Sequence, residues 1–223
     1  LSIDDGHILY SHPNLNEIGQ LANLVKLARY DTKVFFNSNV HINQTNICVL
    51  ACKFCAFRRS KRQSDAYELS LDNYLLEMDK YANLVDEIHS VGGLHPDWRI
   101  EHYEQLITAA KDRYPNIAIK ALTAVEIKHL SKQSDISYSQ TLRRLKAAGL
   151  DCLPGGGAEI LNDDVRAVIC YGKESSDEYL EIHRQAHSIG IPSNCTMLFG
   201  TIETIHDRLI HMDKLRNLSL IHI

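Results

Sequence analysis

Val40-His41-Ile42-Asn43-Gln44-Thr45-Asn46-Ile47-Cys48-Val49-Leu50-Ala51-Cys52-Lys53-Phe54-Cys55 sets the frame for the chain. A short strand-like run over 40–45 feeds directly into a loop that carries three cysteines in a C-x3-C-x2-C spacing. Working outward, the same order of strand, loop and helix recurs. A helix is expected over 71–84, capped by Ser70, with Leu71, Leu75 and Met78 at helical spacing. A second strand over 87–91 is stopped by Gly92-Gly93. The helix expected over 100–114 places Ile100, Tyr103, Leu106, Ile107 and Ala110 on one stripe and ends at Pro115. A third strand over 117–122 precedes a helix that begins near Val125. Ser137 and Gln140 form a capping box for a helix to Ala148, closed by Gly149. A short fourth strand over 151–154 runs into Gly155-Gly156-Gly157. Ser175 and Glu178 open a helix that Gly190 closes, a fifth strand covers 193–199, and a last helix covers 205–215.

Strands alternating with helices predict parallel βαβ units, with chemistry in the loops that follow the strand C-termini. The unusual residues fall in those loops: the cysteines, 92–97, 123–126, 155–159 and 200–203. Five strands leave two open edges, so the sequence predicts a barrel that needs at least one more strand, with a C-terminal portion missing. The expected layout is a helical lead-in over 1–39, an incomplete barrel over 40–217 and a tail over 218–223. That tail, Leu218-Ser219-Leu220-Ile221-His222-Ile223, fits no helix period and reads as a translated sequencing-adapter stretch rather than native chain.

Composition sets limits. The chain has 223 residues, 44% hydrophobic and 23% charged, with a formal net charge of −4, so nothing global points to nucleic acid. The one basic run, Arg58-Arg59-Ser60-Lys61-Arg62, reads first as a solvated loop face. The other reading is contact with an anionic substrate, because the run follows the cysteines. No apolar run approaches the ~20 residues of a membrane span. No signal peptide is visible, and the first residue is Leu1, not Met, which leaves the start of the chain open. Of the six cysteines, 48, 52 and 55 sit within eight positions, while 152, 170 and 195 are isolated. A disulfide framework would spread them through a small secreted domain, so a reducing cytoplasm with a metal site fits better.

Three thiolates can hold three irons of a [4Fe–4S] cubane and leave the fourth iron open. An open iron can chelate the amino and carboxylate groups of a methionine, and an electron passed into a sulfonium breaks a carbon–sulfur bond. The alternative is zinc in an interaction module. Structural zinc closes four ligands, usually from two paired clusters, and no second C-x2-C is present.

The spacing resembles the radical S-adenosylmethionine superfamily. The resemblance implies an α/β fold, a partial (βα)6-type TIM-like barrel, with Cys48, Cys52 and Cys55 as ligands of a [4Fe–4S] cluster and S-adenosyl-L-methionine as co-substrate. It places Phe54 near the adenine and the backbone of Gly92 and Gly93 at the methionine amino group. The superfamily's usual acidic residue at that loop is replaced by Leu94. Gly155-Gly156-Gly157 would let the backbone approach the cofactor while Glu159 takes the ribose hydroxyls; the alternative is a turn that needs positive φ.

Several segments narrow the resemblance to the radical enzymes of the futalosine pathway of menaquinone biosynthesis. They are His41–Cys48, Cys55-Ala56-Phe57, Val91–Trp98 and Leu153–Ile160. Ile119–Ile127, with Thr123-Ala124-Val125-Glu126-Ile127, and Glu181-Ile182-His183-Arg184 are similar to the aminodeoxyfutalosine synthases. The cyclic dehypoxanthinylfutalosine synthases typically carry Ser-Pro-Pro-Glu-Ile at the former stretch. The resemblance implies that an adenosyl radical adds to the double bond of 3-[(1-carboxyvinyl)oxy]benzoate, giving 6-amino-6-deoxyfutalosine after loss of the carboxylate. It also implies a reducing partner such as flavodoxin or ferredoxin. The candidate catalytic residues are His95, Asp97 and Glu126, with Asn194 as a further substrate contact. For His95 and Asp97 the other reading is a turn network around Pro96 and Trp98. For Glu126 it is a helix cap. Arg58 or Arg59 could pair with a substrate carboxylate, which guanidinium binds bidentately.

Overall fold

The computed structural model describes residues 1–218, so positions 219–223 of the expected tail lie outside the described residues. Two helices lead in, α1 (Ile3–Ser11) and α2 (Leu15–Tyr30). Three strands follow, interleaved with helices: β1 (Asn39–His41), α3 (Leu71–Asp79), β2 (Glu87–Ser90), α4 (Ile100–Arg113), β3 (Ala118–Ala121), α5 (Ala124–Ser134) and α6 (Tyr138–Ala148). α7 (Asp163–Ile169), α8 (Ser176–Ser188) and α9 (Ile205–Leu218) complete the described chain. The sheet is parallel in the order β1-β2-β3, with Val40 opposite Ile88 and Ile88 opposite Ile119. This is the α/β alternation the sequence predicts.

Two expected strands are reduced to contacts. Residues 151–154 and 193–199 extend the sheet only as isolated parallel bridges, Lys120 with Cys152 and Leu153 with Ser193. Pro154 and Pro192 flank those bridges, and proline has no N–H to give a ladder. The first strand is also shorter than expected. Its second half turns to meet 65–69 instead, through an antiparallel bridge from Thr45 to Glu68. α3 stops at Asp79, where turns closed by the N–H groups of Tyr81 and Leu84 take over. α7 was not legible, because a seven-residue helix is too short for periodicity to register.

The sheet is two-faced. Ile88, Ile119 and Ala121 turn to the helices and pack with Tyr74 and Met78 of α3, Ile100 and Ile107 of α4, Leu142 and Leu145 of α6 and Tyr179 of α8. Truncating one of the larger of these side chains to alanine costs about 2–5 kcal/mol. The alternate residues Glu87, His89 and Lys120 are half-buried on the opposite face. There the His41 and His89 rings pack with centres 4.3 Å apart, tilted by 31°, and Lys120 stands 3.6 Å from Glu87. A polar second face is unusual for a parallel sheet and marks the interior of the open barrel. α1 packs on α9 at Gly6, where a Cβ would meet Leu209 at 2.4 Å. α2 buries no residue. Among the described residues, no helix is long and apolar enough to cross a membrane.

Candidate active site

The cysteine loop leaves β1 and is pinned along its length. Cys48 N–H donates to the Arg59 carbonyl (3.0 Å), Val49 N–H to that of Leu94 (3.1 Å), Lys53 N–H to that of Ile169 (2.8 Å), and Cys55 N–H to that of Cys52 (3.1 Å). Those bonds tie the loop to the turn after β2 and to the end of α7. Cys48 and Cys52 are half-buried and Cys55 is exposed, and all three line one cavity with Phe54, Gly92 and Gly93. Burial pushes the Cys52 thiol up to about 11, against the pull of the Lys173 ammonium.

Gly93 shows why glycine stands in the second loop. A Cβ there would lie 2.1 Å from the Ile47 carbonyl oxygen and 3.0 Å from Cys48 Cβ. Only a bare backbone lets this loop lie against the cysteine loop. At Gly92 the same atom would meet Gln44 Nε2 at 2.8 Å and the Thr45 carbonyl at 3.1 Å.

The donor set fits a cluster with an open iron. Three thiols border one chamber. Among the described residues, no group of three or more His, Cys, Asp or Glu side chains is arranged to hold a single metal ion. Zinc needs four ligands converging on one point, whereas a cubane is held by thiolates spread around its faces. The other cysteines do not line the chamber, though Cys170 lies in a buried cluster against which Cys52 packs. Cys152 sits at the β3 bridge, Cys170 is buried with Ile160, Val165 and Ile169, and Cys195 is exposed.

His95, Asp97, Glu126 and Glu159 do not line the chamber itself; they stand behind it. Glu126, at the start of α5, is buried and accepts from Gly92 N–H (3.0 Å), Thr123 N–H (2.7 Å) and Thr123 Oγ1 (2.7 Å). It is thus a cap for α5 and a clamp on the glycine loop at once. Burial pushes its carboxyl above the usual range against those donors. His95 is buried, with Nε2 2.8 Å from Glu68 Oε2 and Nδ1 accepting from Asp97 N–H at 3.2 Å. Nδ1 acting as acceptor leaves the ring proton on Nε2, directed at Glu68. Burial lowers the affinity of the His95 ring for a second proton, against the pull of Glu68. The ring also stacks on Trp98 at 4.4 Å. Asp97 is exposed and pairs with Lys61 at 2.7 Å. Asn194 is exposed and uses its backbone N–H to hold Leu153.

Glu159 takes a positive φ of 45° and pairs with Lys173. Lys173 lines the chamber, and its Nζ lies 5.5 Å from the centre of the Phe54 ring. Burial alone would favour the neutral amine, but Glu159 holds its pKa above the ordinary value. Sequence reasoning missed Lys173, because nothing local to 172–174 marks it. It also missed Arg166, whose buried guanidinium donates to the carbonyls of Gly157, Ala158 and Glu174 and so pins the glycine-rich loop. Gly155 lies so close to the neighbouring segment that a Cβ would meet Cys195 Cα at 2.7 Å, and Gly157 takes φ 95°. Both readings of the triple glycine, close approach and positive φ, therefore apply, at different positions.

A parallel α/β fold with a three-thiol loop at the first strand end, backed by a glycine turn at the second, defines an iron–sulfur radical enzyme of the S-adenosylmethionine-cleaving class. The chain belongs to the radical SAM superfamily, whose family model matches residues 42–215. That superfamily uses a [4Fe–4S] cluster and S-adenosylmethionine. The chain is 43% identical to an aminodeoxyfutalosine synthase of Thermus thermophilus, over 98% of this chain and 59% of the relative. It is 36% identical to a cyclic dehypoxanthine futalosine synthase of Streptomyces coelicolor, over 95% and 54%. It is 37% identical to a 5-amino-6-(D-ribitylamino)uracil–L-tyrosine 4-hydroxyphenyl transferase of Methanothermobacter thermautotrophicus, over 89% and 54%. The fold is shared with a crystal structure of methylornithine synthase, with a TM-score of 0.76 at 16% identity, over 98% of this chain and 62% of that one. The chain thus spans between half and three-fifths of the length of these curated relatives.

Proposed function

We propose that this chain forms the radical-generating part of an aminodeoxyfutalosine synthase, with residues 40–217 as the barrel and 1–39 as its lead-in. In this reading the 5′-deoxyadenosyl group is added to the enol-ether double bond of 3-[(1-carboxyvinyl)oxy]benzoate, and 6-amino-6-deoxyfutalosine is released with loss of carbon dioxide. The observation that carries it is the position of Thr123-Ala124-Val125-Glu126-Ile127. This stretch resembles the synthases rather than the cyclising enzymes, and its Val125 contributes a side chain to the cysteine chamber. Identity supports it through the Thermus synthase, at 43%, while the synthase and the cyclising enzyme of Streptomyces coelicolor both stand at 36%.

When bound, the cluster supplies the electron that opens the sulfonium. The residues of the chain do the rest. Cys48, Cys52 and Cys55 would hold it, and Gly92 and Gly93 line the same chamber with bare backbone. Glu126 fixes that glycine turn through the Gly92 N–H, while the buried His95 ring, held by the exposed Glu68, braces the same loop. Phe54 offers a ring face for the adenine, and Glu159, which does not line the chamber, holds the chamber cation Lys173. Leu50, Leu94 and Val125 give the chamber apolar walls that keep water from a reactive radical. Addition in place of hydrogen abstraction requires the alkene carbon to be held roughly 3–3.5 Å from its attacker, so rigid loops matter more here than acid–base groups.

The test is anaerobic reconstitution followed by incubation with S-adenosylmethionine and dithionite. One sample receives 3-[(1-carboxyvinyl)oxy]benzoate and the other dehypoxanthinylfutalosine. Aminodeoxyfutalosine from the first alone supports the proposal; a cyclic product from the second alone replaces it with the cyclising reaction.

A further inference from the structure

Two cations line the cysteine chamber, Arg58 and Lys173. Lys173 is paired with Glu159. Arg58 is not paired with anything: its Nε is buried with no hydrogen-bond partner, and among the described residues its side chain has no ion pair. The neighbouring arginine is in the opposite state. Arg59 Nε donates to Asp65 Oδ2 at 2.6 Å, and its Nη1 donates to the carbonyls of Ala56, Phe57 and Arg58. Arg59 therefore closes the turn after the cysteines, while Arg58, which lines the chamber, keeps a buried Nε without a partner.

A buried donor left unpaired is unfavourable, and a guanidinium recovers that loss best from a planar anion that takes two of its N–H groups. Among the described residues, no carboxylate lines this chamber. We infer that Arg58 is the carboxylate-binding residue of the cysteine chamber, receiving a carboxylate from a bound small molecule. The inference rests on the proposed reading of the chamber. In that reading two molecules bring the required chemistry: S-adenosylmethionine, through its methionine carboxylate, and the enolpyruvyl benzoate, through its acrylate or ring carboxylate. Arg58 is a binding residue in this account, and it moves no proton.

The experiment measures binding, without turnover, to the anaerobically reconstituted protein with its cluster oxidised. Equilibrium dialysis is run on wild type, Arg58→Gln and Arg58→Lys. The probes are S-adenosylmethionine, its decarboxylated analogue, and 3-[(1-carboxyvinyl)oxy]benzoate in the presence of saturating S-adenosylmethionine. Iron and sulfide content is assayed in parallel. The expected result is a loss of about ten- to hundredfold in affinity for one carboxylate ligand in Arg58→Gln, with a smaller loss in Arg58→Lys and with iron and sulfide unchanged. If the loss falls on S-adenosylmethionine, and the preference for it over the decarboxylated analogue is smaller in Arg58→Gln than in wild type, the carboxylate is that of methionine. If only the benzoate is affected, the carboxylate is that of the substrate. Unchanged affinity for both in a fully loaded variant overturns the inference, as does loss of the cluster in both variants, which would make Arg58 a structural residue. A wild-type protein that binds S-adenosylmethionine and not the benzoate overturns the proposed substrate, while the Arg58 comparison still decides through S-adenosylmethionine.

Discussion

Gly93 and the three cysteines make one unit at the scale of single residues. A methyl group on Gly93 would press to 2.1 Å from the Ile47 carbonyl, so one of two backbones would have to move. Gly93→Ala is expected to lower iron and sulfide loading and thermal stability together. Gly19→Ala is the control: it lies in α2 with nothing within 4 Å, where alanine gains up to about 1 kcal/mol of helix propensity. Equal loading of Gly93→Ala and wild type would remove the close contact from the account. Replacing Cys48, Cys52 or Cys55 by Ala should abolish cluster binding, as read by iron, sulfide and the thiolate-to-iron absorbance. Cys152→Ala, Cys170→Ala and Cys195→Ala should keep it. Cys170→Ala should pay about 1 kcal/mol in stability for a small cavity beside Ile160 and Val165. An intact cluster in Cys52→Ala contradicts the assignment. The cysteines and paired glycines were legible because their spacing is local. Lys173 and Arg166 were not, because each acts on a segment distant in sequence, and no pattern in their own neighbourhood announces it.

At the scale of elements, the link between α7 and α8 is the least expected feature. Arg166 spends its donors on carbonyls, so the Glu174 carboxylate lies 3.2 Å from the guanidinium yet accepts no hydrogen bond. Burial outweighs the attraction of Arg166 and Lys173 and pushes the Glu174 carboxyl up from 4.5 to about 7, with the Glu159 charge adding to the rise. A carboxyl whose folded pKa is raised binds its proton more tightly in the native state. Its contribution is therefore intact below pH 4.5 and is lost as pH rises to about 7, amounting to about 3 kcal/mol. Glu174→Gln should match wild type near pH 4 and exceed it in urea unfolding near pH 8. A variant that is less stable at pH 8 would show the carboxylate to be a favourable partner of Arg166. Helix positions were largely legible here, because capping boxes such as Ser137 with Gln140 and Ser175 with Glu178 are written in four residues. The fourth and fifth strands were over-read. An apolar run beside proline reads as a strand in sequence, yet each proline removes one N–H from the ladder, and the pairing stays at single bridges.

At the scale of the molecule, helices cover one face of the sheet, and the polar face with His41, His89 and Lys120 opens toward the end where the cysteine loop sits. Alternating strands and helices made this architecture legible, since each crossover must cover a sheet face. The polar second face was not legible, because in strands of three or four residues the alternation is too short to separate from chance. The central claim is that this architecture serves addition of the adenosyl group rather than hydrogen abstraction. Its most direct test supplies S-adenosylmethionine labelled in the ribose carbons, dithionite and 3-[(1-carboxyvinyl)oxy]benzoate to the reconstituted protein, and follows the label by mass spectrometry. The account predicts label in a product heavier than deoxyadenosine, with one carbon dioxide released per turnover; label confined to 5′-deoxyadenosine would contradict it.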